Sequence, residues 1–225
     1  MIPVSEDNKN VIAVIPAFNE ELAIGSVVLR TVPFVSHVIV VDDGSHDMTG
    51  FIAEHAGAEV IRLSKNHGKG YAVMRGFDRA RQLGADIVVM LDGDGQHHPE
   101  EIPSVIASIL TDEADLVIGS RFLTTGHKIP LYRKIGQKTL DKFTKFASSC
   151  KTTDSQSGFR ALSSTALDSI TIEPSGFDIE SVMISYLSDK GFRIVEVPIH
   201  VNYEIPNAHK KNFLSHGMAV LSNLV

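Results

Sequence analysis

Two aspartates that stand two residues apart, Asp92 and Asp94, are the sharpest chemical feature of the sequence. Directly after a buried strand, carboxylates at this spacing can share one hard divalent cation. Mg²⁺ and Mn²⁺ favour oxygen ligands and often keep a phosphate in their shell. Gly93 and Gly95 permit a tight turn close to a diphosphate, and Gln96 adds a neutral oxygen ligand. Because Asp-Gly pairs are also common in turns that bind nothing, the metal assignment depends on the surrounding residues.

Polar residues follow other apolar runs of the chain as well. Asp43 follows the run at residues 38–41, and its carboxylate is predicted to accept hydrogen bonds from a ribose or a base, unless it only belongs to a strand-to-helix turn. Glu20 either contacts a nucleotide or favours the positive end of the following helix. Lys69 lies in a glycine-flanked loop, where it either approaches the nucleotide or is solvated.

An alternation of strands and helices is predicted to position these residues. Apolar, β-branched runs predict strands at residues 11–15, 38–41, 59–63, 87–91 and 116–119, and helical spacing predicts helices at residues 19–29, 47–56, 70–83 and 99–110. Such alternation indicates βαβ units and a mostly parallel central sheet flanked by helices, an α/β fold. Ligands of these sheets lie beyond the carboxyl ends of the strands, where the polar clusters fall.

The composition narrows the class of protein. A chain of 225 residues that is 43% hydrophobic fits one domain, residues 1–225, better than two. A net charge of -6 argues against broad nucleic-acid binding. The single cysteine, Cys150, excludes an internal disulfide framework and fits a reducing compartment. No run approaches the ~18 apolar residues that cross a bilayer, and no secretory signal opens the sequence.

The last segment, residues 213–225, carries a partial apolar stripe at helical spacing. One interpretation is a helix that docks on the core. The other is a helix that lies on a membrane surface.

Five sequence blocks together resemble glycosyltransferase family two. They are Val-Ile-Pro-Ala-Phe-Asn-Glu-Glu at 14–21, Val-Val-Asp-Asp-Gly-Ser at 40–45, Asn-His-Gly-Lys-Gly at 66–70, Asp-Gly-Asp-Gly-Gln at 92–96 and Gly-Ser-Arg-Phe at 119–122. Ser-Gly-Phe-Arg at 157–160 and Glu-Val-Pro-Ile at 196–199 continue the match over nearly the whole chain. The branch that is most similar is that of the polyprenyl-phosphate (dolichyl-phosphate) sugar synthases.

The resemblance implies a GT-A fold, a nucleotide-sugar donor such as a UDP- or GDP-hexose, a Mg²⁺ or Mn²⁺ ion and an inverting transfer. Carried over by position, the resemblance implies that the nucleotide-sugar contacts Pro16, Phe18, Glu20, Asp43, Asp92 and Gly93. The loop residues Lys69 and Lys211 are expected to contact it as well. The metal ligands would be Asp92, Asp94 and Gln96, and the catalytic groups Asp94, Arg121, Arg133 and Asp154.

The sequence departs from the family pattern after the Val-Pro-Ile block. Mannose synthases tend to carry Tyr-x-x-Arg there, whereas the stretch after Tyr203 has no arginine. His209, Lys210 or Lys211 is therefore expected to supply the cation for the diphosphate, and UDP-sugars are at least as compatible as GDP-mannose.

The acceptor decides what Asp154 does. A lipid monophosphate is already anionic and needs no general base, but it needs positive charge, and the forked donors of Arg121 and Arg133 suit it. If the acceptor is a saccharide hydroxyl, Asp154 must take the proton. The leading interpretation is a peripheral enzyme on the cytoplasmic face of a membrane that makes a polyprenyl-phosphate sugar. The alternatives are transfer to a saccharide hydroxyl, a non-catalytic nucleotide-sugar sensor and a nucleotidyltransferase.

Overall fold

A sheet with seven strands in the described part of the chain forms its centre. The structure, a computed structural model, describes residues 9–123, 152–171 and 179–202. The strands are β1 (Val11–Ala17), β2 (His37–Asp42), β3 (Glu59–Arg62), β4 (Ile87–Met90), β5 (Leu116–Ser120), β6 (Arg160–Ser163) and β7 (Ile194–Pro198). All five strands predicted from the sequence are present, with bounds that agree to within two residues.

Helices flank the sheet, and short 3₁₀ turns accompany two of them. The α-helices are α1 (Ile24–Thr31), α2 (Thr49–His55), α3 (Lys69–Gln82), α4 (Ile102–Leu110), α5 (Ser164–Ser169) and α6 (Ile179–Asp189), and the 3₁₀ turns are Val32–Phe34 and Pro99–Glu101. All four helices predicted in the first half of the chain exist.

The first helix begins later in the chain than predicted. Its predicted start is residue 19, whereas α1 begins at Ile24. Asn19 has a φ of 55°, which is outside the helical region. The amide of Asn19 donates to Ser45 Oγ and that of Glu20 to Thr49 Oγ1. These tertiary hydrogen bonds hold residues 19 and 20 in a loop, so helical spacing alone gave the wrong start.

The strand order is β3-β2-β1-β4-β6-β5-β7. β1 pairs in parallel with β2 and β4, β2 with β3, and β5 with β7. β6 is antiparallel to both of its neighbours, and Arg160 lies opposite Met90 and Ile118. The residues just before β6 therefore lie at the same edge as the carboxyl ends of β4 and β5.

The core lies on both faces of the sheet. Every residue of β1 is buried, because α1, α2 and α4 cover one face and α3, α5 and α6 cover the other. A strand covered on both sides reads as a continuous apolar run, which is why the strands were recognisable from sequence. The polar residues that end these runs are consequently gathered at one edge of a rigid sheet.

No helix in the described parts of the chain is long and apolar enough to cross a membrane. Residues 213–225, for which a surface helix or a core-docked helix was expected, lie outside the described residues.

Candidate active site

A cavity of about 610 Å³ opens at the carboxyl edge of β1, β2 and β4. Eight residues singled out from the sequence line it: Pro16, Phe18, Glu20, Asp43, Lys69, Asp92, Gly93 and Asp94. Asn66, Gly68 and Ala72 line it as well, from the loop before α3 and from its first turns. Residues from four separate stretches of sequence are thus brought to one cavity.

Asp43 fixes the loop that carries Lys69. Its carboxyl group is buried, and its two oxygens accept hydrogen bonds from the backbone N–H groups of His67 and Gly68, each at 2.8 Å. A carboxylate oxygen has a second lone pair, so these bonds leave acceptor capacity on the cavity side. The structure therefore gives Asp43 a supporting role beside the nucleotide contact predicted for it.

Lys69 lies between two carboxylates. Its Nζ is 2.5 Å from Asp92 Oδ1 and 2.5 Å from Glu180 Oε1. Burial opposes the charge of Lys69, but the attraction of Asp92 and Glu180 outweighs it and raises the pKa of the ammonium above its ordinary value. Lys69 is therefore a permanent positive charge in the cavity.

Asp94 is the second carboxylate of the Asp-x-Asp pair. Burial, followed by the negative charge of Asp92, raises the pKa of the Asp94 carboxyl. Its Oδ1 accepts a hydrogen bond from the backbone N–H of Gln96 at 3.0 Å. The ionised forms of Asp92 and Asp94 repel each other, and a shared cation would stabilise both.

The side chains present suit a hard divalent cation that also binds a ligand. Asp92 and Asp94 line the same cavity, whereas Gln96, expected as a third ligand, does not line it. Within the described residues, no group of three or more His, Cys, Asp or Glu side chains is arranged to hold a metal by itself. Mg²⁺ and Mn²⁺ commonly take one or two carboxylates and complete their shells with phosphate oxygens and water.

His97 forms a hydrogen bond with the backbone of Asp92. The imidazole is buried, and its Nδ1 accepts the backbone N–H of Asp92 at 3.4 Å. Burial lowers the pKa of His97, Asp92 and Asp94 oppose that shift, and the positive charge of Arg121 adds to it. A neutral ring is the form that this hydrogen bond requires, because a protonated imidazole has no lone pair on Nδ1 to accept it.

Gly158 is held against Asp92. A Cβ atom at this position would clash with the carboxylate of Asp92, so any side chain here must displace that carboxylate. Arg160, which is fully buried, donates to the carbonyl oxygens of Ser155, Ser157 and Glu180 at 2.6–2.8 Å. Arg160 thereby ties the loop before β6 to the first turn of α6.

Arg121 and Asp154 form a two-pronged ion pair beyond β5. Arg121 Nε donates to Asp154 Oδ2 at 2.7 Å and Nη2 donates to Oδ1 at 2.6 Å. The side chain of Asp154 is 1% exposed and that of Arg121 14%. Glu196 of β7 accepts the backbone N–H groups of Thr153 and Asp154 and so fixes the loop. Both oxygens of Asp154 are thus committed to orienting Arg121.

Comparison with known proteins gives the family. The profile of glycosyl transferase family 2 matches residues 12–171. The chain belongs to glycosyl transferase family 2. It is 33% identical over 219 residues to the UDP-N-acetylglucosamine–dolichyl-phosphate N-acetylglucosaminyltransferase of Methanococcus voltae, with 87% of each chain covered. It is 34% identical over 203 residues to the undecaprenyl-phosphate mannosyltransferase of Micrococcus luteus, with 84% of this chain and 82% of that one covered.

A solved structure shares the fold of this family 2 chain. The glucosyl-3-phosphoglycerate synthase of Mycobacterium tuberculosis, in complex with Mn²⁺, UDP-glucose and glycerol 3-phosphate, matches with a TM-score of 0.71 and 25% identity. The match covers 96% of this chain and 79% of that one. The resemblance to the family and the GT-A fold expected from it are confirmed.

Some predicted site residues of the family 2 domain are not in this cavity. Arg121 and Asp154 lie beyond the cavity lining, as a pair. Arg133, Lys211 and the alternatives to Lys211, His209 and Lys210, lie outside the described residues.

Sequence reasoning missed Glu180, although a signal for it exists. On α6, Glu180 shares its buried face with Met183, Ile184 and Leu187, three, four and seven residues further on. A carboxylate at a core position of an amphipathic helix needs a buried partner. This pattern in the sequence indicates Glu180 as a candidate site residue.

Gly158→Ala is expected to weaken Mn²⁺ binding, because the added methyl group must push the Asp92 carboxylate out of place. Changes to residues that support a metal ligand without binding the metal typically cost about 10–100-fold in metal affinity. Mn²⁺ titration followed by electron paramagnetic resonance (EPR) measures the change. Gly25→Ala is the control, since its Cβ would crowd Ile52 Cγ2 at 2.9 Å, away from Asp92. Equal Mn²⁺ affinity in Gly158→Ala and the wild type would contradict the role of Gly158.

Proposed function

We propose that this glycosyl transferase moves a hexose from a nucleotide-diphosphate sugar, a UDP- or GDP-hexose, to a polyprenyl phosphate, with inversion at the anomeric carbon. Two relatives that align with most of this chain are named for dolichyl-phosphate or undecaprenyl-phosphate acceptors, which supports the acceptor class. The cavity at the sheet edge supports the donor side of the proposal, and the Arg121–Asp154 pair supports the acceptor side.

On the donor side, Asp92 and Asp94 would hold Mg²⁺ or Mn²⁺. Gln96 does not line the cavity, and its side chain would have to turn toward the ion to serve as a further oxygen ligand. The bound ion would neutralise the charge that the diphosphate gains as it leaves. Lys69 adds a positive charge within the cavity. The nucleotide would lie against the part of the cavity lined by Pro16, Phe18, Glu20 and Asp43.

The proposed reaction is balanced without a proton transfer. An oxygen of the acceptor phosphate forms the new bond to the anomeric carbon from the face opposite the diphosphate. The bond between that carbon and the donor diphosphate breaks, and its electron pair leaves with the nucleoside diphosphate. A phosphate monoester brings its own negative charge, so the protein's task is to orient two anions and keep them from repelling each other.

The buried Arg121–Asp154 pair is the single observation that carries the choice of acceptor. Both carboxylate oxygens of Asp154 accept hydrogen bonds from Arg121. A general base must reach the proton that it removes, and Asp154 would have to break this pair and leave its buried position to do so. As an anchor, the same carboxylate fixes an arginine for a phosphate group.

The setting of the reaction follows from the acceptor. A polyprenyl phosphate is embedded in a membrane, so we place the protein at the membrane surface, on the cytoplasmic face where nucleotide-sugars are made. Residues 213–225 are proposed as the surface helix. Arg133 is proposed as a second contact to the acceptor phosphate, and Lys211 as a second cation for the diphosphate.

A donor panel tests the proposal. The purified chain with Mn²⁺ is given radiolabelled UDP-glucose, UDP-N-acetylglucosamine or GDP-mannose, each with undecaprenyl or dolichyl phosphate, and label is counted in the organic phase. We expect one donor to label the lipid. Parallel reactions contain free saccharides in place of the lipid, and label found only in these products would favour the hydroxyl-acceptor alternative with Asp154 as base.

A further inference from the structure

Lys69 contacts two carboxylates that differ in their surroundings. Asp92 faces the cavity, and its side chain is 27% exposed. Glu180 contacts the same ammonium, and its side chain is 4% exposed. Lys69 Nζ is equally close to an oxygen of each.

Glu180 is the fixed member of this trio. It stands in the first turn of α6, and its backbone carbonyl accepts a hydrogen bond from the buried guanidinium of Arg160 at 2.6 Å. Its carboxylate is almost completely shielded from solvent, with 4% of the side chain exposed. Lys69, in contrast, is the first residue of α3 and reaches the site through a flexible four-carbon stem.

The contact between Lys69 and Asp92 raises a problem of charge. In the proposed function, the Asp92 carboxylate also binds a divalent cation, and that cation and the ammonium attract the same oxygen while repelling each other. The side chain of Lys69 is only 32% exposed, and an ammonium held in the site with no other partner would oppose the binding of the metal. Glu180 is the second partner that the trio supplies.

We propose that Glu180 is a positioning residue that holds the Lys69 ammonium in the site when a divalent cation takes over the Asp92 carboxylate. This inference rests on the metal–diphosphate site of the proposed function. Glu180 offsets the positive charge of Lys69, and the ion pair between them keeps the ammonium in the site. Lys69 thus remains beside the metal, where it faces the donor diphosphate as a second cation.

Binding of Mn²⁺ alone tests the role of Glu180, without donor or acceptor. The EPR signal of aquated Mn²⁺, which is lost on binding, gives its Kd. Glu180→Gln keeps the shape of the side chain and removes its charge, so Lys69 is left with Asp92 alone. We expect the Mn²⁺ Kd to rise about tenfold, within the range usual for directly coupled groups.

Lys69→Met tests the same idea from the other side. It removes the cation that competes for Asp92, so the Mn²⁺ Kd should fall several-fold. In the Lys69→Met background, a buried Glu180 without a cation favours its protonated form, and adding Glu180→Gln should then change the Kd much less than it does in the wild type. The matched control is Glu100→Gln, which also removes one negative charge, from the exposed Arg30–Glu100 pair, and should leave the Kd unchanged.

Two results would overturn the proposal. One is a Glu180→Gln effect of equal size with and without Lys69, which would mean that Glu180 acts on the metal directly. The other is a Mn²⁺ Kd that rises or stays constant in Lys69→Met. Neither result depends on which acceptor is used, and failure to label a lipid phosphate would leave both measurements standing.

Discussion

Replacement of Asp94 by asparagine should lower turnover by more than about a hundredfold. Changes to residues that only support a metal ligand already cost about 10–100-fold, and Asp94 is itself a proposed ligand. Asparagine has nearly the same shape and can still accept the N–H of Gln96 through Oδ1. Only the charge and the metal-binding strength of the side chain change. Initial rates over a range of Mn²⁺ concentrations measure the loss, and the apparent Kd for Mn²⁺ should rise with it.

The control for Asp94→Asn is an aspartate at the other end of the same strand. Asp86 directly precedes β4, and its Oδ2 accepts the backbone N–H of Asn10 at the opposite edge of the sheet. Asp86→Asn should keep wild-type turnover at saturating Mn²⁺. Full activity of Asp94→Asn, or of the wild type after treatment with EDTA, would contradict the metal assignment.

Arg121→Lys should raise the KM for polyprenyl phosphate by roughly ten- to a hundredfold, which corresponds to the loss of one charge-assisted hydrogen bond worth about 1.5–3 kcal/mol. Lysine keeps the positive charge but lacks the fork that spans the two oxygens of Asp154. The phosphate therefore loses its oriented donors, while the donor cavity keeps all of its lining. Separate measurements of acceptor KM and of nucleotide-sugar Kd by calorimetry should show that only the first changes.

A second forked arginine provides the control for Arg121→Lys. Arg193 Nε and Nη2 donate to Asp115 at 2.9 and 3.0 Å, just before β7 begins at the opposite edge of the sheet. Arg193→Lys should affect thermal stability but leave the acceptor KM unchanged. An Arg121→Lys protein that loses donor affinity and acceptor affinity equally would argue against a role in acceptor binding.

The part of the site that was predictable from sequence follows from one geometric rule. β1, β2 and β4 are short runs buried on both faces, so each is visible as an apolar stretch that stops at a polar residue. Parallel strands bring those stops to one edge. Asp43, Asp92 and Asp94 could therefore be assigned to the same cavity without any knowledge of side-chain contacts.

The part that was missed comes from the second half of the chain. β6 runs antiparallel within an otherwise parallel order, and this reversal brings Gly158 to the carboxyl edge although it precedes its strand. Nothing local in Ser-Gly-Phe-Arg indicates the direction of the strand. Gly158 and Arg160 therefore contributed to the family resemblance, but no physical role could be predicted for them.

Long-range contacts explain the other misses. Glu180 contacts a lysine more than a hundred residues earlier in the chain, and Glu196 fixes the loop that holds Asp154. The early start predicted for α1 has the same kind of origin, since Ser45 and Thr49 capture the amides of residues 19 and 20. Periodicity describes a segment by itself, whereas these features depend on what a distant segment offers.

The proposed nucleophile is an anionic phosphate held by Arg121. The most direct measurement compares undecaprenyl phosphate with undecaprenol as acceptors, with the same labelled donor, Mn²⁺ and detergent. The two lipids share the whole polyprenyl chain and differ only in the phosphate. We expect labelled lipid from undecaprenyl phosphate and none above background from undecaprenol. Comparable transfer to the alcohol would contradict it, because a hydroxyl acceptor requires a base that the Arg121–Asp154 pair does not provide.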